Sequence, residues 1–239
     1  VLIGAWILMT YTGLLILEVN LALPENANSF ASMAKYTCGP TISFITSISV
    51  LLLLYSLTGA YITGSSSLLT SIIQQTTHIT IPHWLCSIAF TLILGAVIWH
   101  STSTVDTFNR FFISIKGIFL ILSIALLMPK INLSYLQHHT EHGLHFTLLI
   151  VPIFLTSFGY HTVIPSLTNY LGKNVSALRK TILFGATLPF LLYLLWLVCT
   201  LGTLPLEGKM SFTVVAKTNS IAQFTLFLTN IAHSRWVSF

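Results

Sequence analysis

From Tyr36 to Val105 the chain runs for 70 residues without one Asp, Glu, Lys or Arg. Soluble domains carry about 25% charged residues, so this stretch cannot build a water-facing surface. Over all 239 residues, 54% are hydrophobic and 6% charged, with a mean hydropathy of +0.87. In hydrocarbon only helices and closed barrels satisfy their own backbone groups. The apolar runs here are unbroken, whereas a barrel alternates over ~10-residue segments. The expectation is therefore an all-α, polytopic membrane protein.

A helix needs ~20 apolar residues to cross a bilayer. The expected spans are about 1–19, 41–63, 82–100, 111–129, 146–170 and 181–204, with a shorter stretch at 219–232. They form one transmembrane domain over 1–232, followed by an atypical tail at 233–239. Trp84 and Trp99 bracket the third span and suit interfacial belts. Val1 already lies inside an apolar run, with no charged segment or cleavage pattern of a signal peptide. The expectation is a protein cut on its N-terminal side. If spans alternate in direction, Lys35, Arg110, Lys116, Lys173, Arg179 and Lys180 share one side, against Lys130, Lys209 and Lys217. Excess positive charge marks the cytoplasmic side. The formal charge of +5 thus reads as basic loops facing anionic lipid, with no nucleic-acid partner. Cys38, Cys86 and Cys199 are scattered without CxxC spacing, which argues against a disulfide framework or zinc knuckle.

One span is interrupted. Pro152, Gly159 and Pro165 all fall within 146–170, and Pro165 is expected to free the carbonyl of His161 four residues back. Ser157, Phe158, Gly159, Tyr160 and His161 then lie near mid-depth. Non-helical backbone there has to be buried in protein or line a cavity, and interrupted helices are where transporters bind substrate. A half-helix ending near Phe158 presents carbonyls and the negative end of its dipole, which suits an ammonium group. Phe158 and Tyr160 suit an aromatic ring, and Ser157 or His161 a phenol. The competing reading is a proline-kinked structural helix with His161 as a polar core residue.

Several motifs in order carry a family resemblance: YTGLLILEV at 11–19, LTGAYITGSSSLL at 57–69, VDTFNRFFISIK at 105–116 and TSFGYHTVIPSLTNYLGKNVSALRK at 156–180. From Val1 to about Thr203 the chain resembles bacterial aromatic amino acid permeases, of the tyrosine-specific and tryptophan types. The resemblance implies a leucine-transporter-like inverted-repeat bundle, of which these spans look like helices 2 to 7 and the start of helix 8. The HSRWVSF tail departs from the family pattern. The implied function is secondary active, proton-coupled import of aromatic amino acids, tyrosine first and tryptophan next, across the bacterial inner membrane. The proton is the coupling ion, with no other cofactor. The alternatives are an inactive truncated remnant and a non-transporting membrane subunit.

Within that frame further residues carry expectations. Tyr55, Thr58 and Gly59 share one helical face, on a span that looks like helix 3, and read as either substrate wall or packing. Lys116, five residues into its span at ~7.5 Å of rise, matches a helix 5 lysine that replaces a sodium ion in some proton-driven relatives. It reads equally as a lysine snorkelling to the cytoplasmic face. Asp106 and Arg110 are four apart, the spacing of a helical ion pair, and look like part of an inner gate or cytoplasmic anchor. Glu18 is expected at the membrane interface. The cluster His138, His139, Glu141, His142 and His145 lacks the HExxH spacing of zinc proteases and is read as surface histidine with no metal. There is no Walker A loop, GxSxG or paired-carboxylate arrangement, so no nucleophile–base pair supports an enzyme.

Overall fold

A computed structural model of the chain describes residues 1–24, 29–136, 144–205, 211, 214 and 221–232. The described residues are helical or irregular, in the order α1 (Leu2–Ala22), α2 (Phe30–Cys38), α3 (Pro40–Thr77), α4 (His83–His100), α5 (Thr102–Leu127), α6 (Leu133–Leu136), α7 (Leu144–Ser157), α8 (Ile164–Leu171), α9 (Val175–Thr203) and α10 (Ile221–Ala232). Among them, six stretches are long and apolar enough to cross a membrane: Leu2–Ala22, Pro40–Gln74, His83–His100, Ser103–Lys130, Leu148–Leu171 and Val175–Thr203. The chain is a polytopic helical membrane protein.

Three helices outrun the spans that hydropathy marks, each for a local reason. α3 continues to Thr77 instead of stopping near 63. Its hydroxyls bond back onto their own helix: Thr63 to the carbonyl of Gly59, Ser67 to Gly64, Thr70 to Ser66 and Ser71 to Ser67, all at 2.8–2.9 Å. A serine or threonine that donates to a carbonyl three or four residues back hides its polarity and leaves the helix intact. The helix ends at His78, whose φ of +58° turns the chain out of the helix. α5 begins at Thr102 rather than near 111, because Ser101 is an N-cap whose Oγ accepts from the Ser103 N–H at 3.1 Å. One residue therefore joins α4 to α5. α9 starts at Val175, where the Asn174 side chain accepts from the Ala177 N–H at 3.1 Å, so Arg179 and Lys180 stand in a helix instead of a loop.

The chain divides into two compact units. The first comprises Val1–Tyr55 with His139–Leu194. α1 buries Leu2, Ala5, Thr10, Gly13, Leu17 and Asn20 along one stripe and packs against α7 and α8. Leu17, Ile164, Leu178 and Ile182 form the core, with Leu14, Leu21, Tyr160 and Leu167 against it. α2 is held by a capping box between Ser29 and Ser32. Gly39, at φ +92°, then lets Pro40 open α3. Ser43 Oγ donates to the Ala31 carbonyl at 2.7 Å, tying α3 to α2.

The second unit comprises Ser56–His138 with Leu195–Phe239. Ile124, Leu127, Cys199, Leu204 and Leu228 form its core. Gly202 allows a close approach there: a Cβ on it would lie 2.8 Å from Ile131 Cγ2, and its carbonyl accepts from the Asn132 N–H at 2.8 Å. Ser66, fully buried, meets His83 Nδ1 at 3.2 Å and so links α3 to α4. Residues 137–143, which hold most of the histidine cluster, and the tail 233–239 lie outside the described residues.

Truncating Leu17, which is completely buried, leaves a cavity in the first core. Leu17→Ala is expected to destabilise the protein by about 2–5 kcal/mol. A thermal melt in detergent, followed with a dye that reacts with the buried Cys86 and Cys199 thiols as they become exposed, reads the loss as a lowered midpoint.

Candidate functional site

The span around residue 158 is opened at its middle. α7 ends at Ser157, Phe158 to Tyr160 are non-helical, a 3-10 turn covers His161–Val163, and α8 begins at Ile164. The backbone tightens into the break: the Phe158 N–H bonds the Leu155 carbonyl at 3.2 Å, Gly159 bonds Thr156 at 3.1 Å, and Tyr160 bonds Phe158 at 2.9 Å. Among the described residues, no backbone N–H reaches the carbonyls of Ser157 and Gly159. Pro165 acts differently from the sequence expectation. It stands in the first turn of α8, where its missing N–H costs nothing, and the His161 carbonyl accepts from the Ile164 N–H in the 3-10 turn.

α1 and α9 supply partners for the side chains. Phe158, only 3% exposed, packs edge-on against Tyr193 of α9 with ring centroids 5.7 Å apart. Tyr160 reaches under α1, where its Oη donates to the Met9 carbonyl at 3.2 Å. Gly13 makes room for it, since a Cβ there would stand 2.6 Å from that Oη. Gly159 is similarly confined: a Cβ would meet the Thr156 carbonyl at 3.0 Å. The His161 ring stacks on Tyr160 at 5.0 Å, and its Nε2 lies 2.9 Å from Thr12 Oγ1. Ser157 is exposed, and its Oγ donates to the Ile153 carbonyl at 2.8 Å. One turn before Met9 on α1, Trp6 stacks on Phe190 of α9 at 4.8 Å.

Polar contacts clamp the far end of α1 to α8 and to the start of α9. Thr168 Oγ1 donates to Asn20 Oδ1 in a buried bond, and Asn20 Nδ2 donates to Met33 Sδ of α2 at 3.5 Å. Arg179 pairs with Glu18 at 3.0 Å, and Lys173 Nζ donates to the Leu23 carbonyl at 3.3 Å. Glu18 therefore joins two helices, beyond the interfacial role expected of it. Both members of the pair are more than half exposed, so its strength is modest and salt-dependent.

The remaining sequence-predicted residues stand elsewhere. Tyr55, 70% exposed on α3, belongs to the first unit. Thr58, Lys116, Asp106 and Arg110 belong to the second. Arg110 and Asp106 form the expected i,i+4 pair at 2.6 Å. Lys116, five residues into the span that hydropathy marks, sits further into its helix because α5 begins at Thr102. It lies 14 residues after the start of α5 and 11 before its end, about 21 Å and about 16 Å of rise respectively. Among the described residues no carboxylate stands within ion-pair distance of it. Sequence reasoning passed over Met9, Thr12, Gly13 and Tyr193 as partners of the break. The available signal was Thr12-Gly13, a small polar pair inside an apolar span, which is the composition of close helix contacts in membranes.

Six membrane-length stretches among the described residues, one of them opened at its centre, define a multi-pass helical membrane protein of the interrupted-helix type. The chain belongs to the tryptophan/tyrosine permease family, whose sequence model matches residues 1–238. That match includes the tail that sequence inspection set apart from the family pattern. The chain is 33% identical over 205 residues to a tryptophan-specific transport protein of Pseudomonas aeruginosa, covering 84% of this chain and 49% of that protein. It is 33% identical over 203 residues to tyrosine-specific transport system 2 of Haemophilus influenzae, covering 85% and 50%. It is 31% identical over 213 residues to the low affinity tryptophan permease of Escherichia coli, covering 87% and 51%. The chain thus spans about half the length of these relatives, which are transport proteins and not enzymes. No solved structure matches it.

Because the Gly13 pocket holds the Tyr160 hydroxyl, Gly13→Ala should force the phenol off the Met9 carbonyl and destabilise the protein by about 1–3 kcal/mol. Tyr160→Phe removes the colliding oxygen, so the double variant is expected to melt above Gly13→Ala alone. Strictly additive losses would show that the two residues do not meet.

Proposed function

We propose that this protein imports aromatic amino acids across the bacterial inner membrane, driven by protons, with tyrosine as first substrate and tryptophan next. The observation that carries the reading is the break at Phe158–Tyr160, where, among the described residues, no backbone N–H reaches the Ser157 and Gly159 carbonyls at the end of α7. Carbonyls at a helix C-terminus attract a cation, and in a site shielded from water they hold an ammonium group in place of its hydration shell. The aromatic surround of Phe158, Tyr160 and His161 supports a ring-bearing substrate, and the names of the relatives point to the same two amino acids. In this reading Ser157, Phe158, Gly159, Tyr160 and His161 form the substrate wall of the first unit.

Lys116 is the proposed proton-coupling group. It lies six residues beyond Arg110, about 9 Å of helix rise past that charged end and inside the apolar part of α5, which supports this role. A charged ammonium in hydrocarbon costs several kcal/mol, so gaining and losing a proton changes which arrangement of the surrounding helices is stable. Asp106 and Arg110, paired and exposed, serve as cytoplasmic anchor or gate.

Radiolabelled tyrosine and tryptophan uptake, in cells lacking their own aromatic permeases, tests the reading. The expected result is accumulation that a protonophore abolishes; membrane-inserted protein without uptake would overturn it. Lys116→Ala is expected to lose accumulation against a gradient by about 100-fold or more, the scale of an essential group, while tyrosine binding remains measurable. Undiminished accumulation in that variant removes Lys116 from the coupling step.

A further inference from the structure

The Thr12–His161 contact has a defined direction. Thr12 Oγ1 lies 2.9 Å from the Leu8 carbonyl, 3.2 Å from the Met9 carbonyl and 2.9 Å from His161 Nε2. The hydroxyl owns one proton and two lone pairs. If that proton went to the imidazole, the Thr12 oxygen would face two carbonyl oxygens at hydrogen-bond distance with no hydrogen between them, which is repulsive. With the proton on the Leu8 carbonyl, the usual arrangement for a threonine inside a helix, the hydroxyl accepts, and Nε2 must carry hydrogen. The α1 side of the ring thus offers an acceptor and demands a donor.

We infer that Thr12 is a positioning residue that holds His161 as the Nε2–H tautomer, leaving Nδ1 as a hydrogen-bond acceptor that selects aromatic amino acids whose ring carries a donor. This deepens the amino acid site proposed above and rests on it. The hydrogen bond of the ring to α1 runs through Nε2. Nδ1 is the ring nitrogen nearer its own backbone, which stands in the 3-10 turn that follows the break. An acceptor there takes the O–H of a phenol and the N–H of an indole equally well. The opposite tautomer would present N–H, which a phenol oxygen can accept but an indole N–H cannot. One oriented histidine therefore admits tyrosine and tryptophan and disfavours phenylalanine.

The test is competition against labelled tyrosine uptake by tryptophan, phenylalanine, O-methyltyrosine and 1-methyltryptophan, the last two keeping the ring and losing its donor. Sites that hydrogen-bond a substrate discriminate against analogues lacking the group. For a half-buried histidine open to some water, donor-bearing substrates should compete at least about tenfold better. Thr12→Val keeps the side-chain shape and removes the hydroxyl, so the tenfold gap should shrink to about threefold or less, and Thr12→Ser should restore it. A gap absent in the wild type, or unchanged in Thr12→Val, overturns the inference while leaving the import reading intact. In 15N-histidine-labelled protein, the His161 signals, assigned by their loss in His161→Gln, should report hydrogen on Nε2. Hydrogen on Nδ1 overturns the positioning role even if uptake is selective. If no aromatic amino acid is taken up, the import reading fails and takes the substrate half with it; the tautomer still decides the Thr12 half.

Discussion

An opened helix in hydrocarbon survives only if protein does what water cannot, and here the seat of Tyr160 beneath Gly13 performs that service. The phenol reaches the Met9 carbonyl because Gly13 has no Cβ to block it. With Tyr160 seated, the neighbouring His161 meets Thr12, and Phe158 turns the other way to pack on Tyr193. The chain between α7 and α8 is held on two sides while, among the described residues, no backbone N–H reaches two of its carbonyls. Those carbonyls cost free energy if left unmatched in a dry interior. They can be kept only if a ligand or water answers them, which is why an opening of this kind reads as a binding site.

A second theme is how polar residues live inside these helices. Hydroxyls on α3, α7 and α9 turn back onto carbonyls of their own helix: Thr70 onto Ser66, Ser157 onto Ile153 and Thr203 onto Cys199. Each side chain is satisfied without a neighbour, so a serine-rich stretch remains compatible with a membrane-length helix. The polar groups that do reach across helices are few, and they concentrate along α1. Thr12 meets His161, Asn20 meets Thr168 and Met33, and Glu18 meets Arg179. Met9, Thr12, Gly13 and Asn20 share one face of α1 toward the interrupted span, while Glu18 on another face meets α9.

Much of the architecture was legible before any coordinates. The long charge-free run demanded membrane helices, and Pro152, Gly159 and Pro165 marked the span that opens, within a residue or two of where it does. The helix ends were less legible. Hydropathy falls at Gly64 and the serines after it, yet the backbone does not respond to hydropathy when hydroxyls bond within the helix. Ser101 and Asn174 set the starts of α5 and α9 through single side-chain caps, signals that an average over twenty residues erases. Lys116, five residues into the span that hydropathy marks, for this reason stands 14 residues after the start of α5.

What the sequence determined alone was class and place: an all-α membrane protein of the tryptophan/tyrosine permease family, interrupted at Ser157 to His161. Apolar length, charge depletion and helix-breaking residues are local properties, and a bilayer converts them directly into structure. The partners of the break were decided only by the tertiary structure. Met9, Thr12 and Gly13 lie some 150 residues away in sequence, with separations of 149 and 151 for the two hydrogen bonds, and nothing in their own helix requires them to face it. Which nitrogen of His161 bears hydrogen, and which carbonyls lack a backbone partner, depend on distances between helices, and only packing sets those.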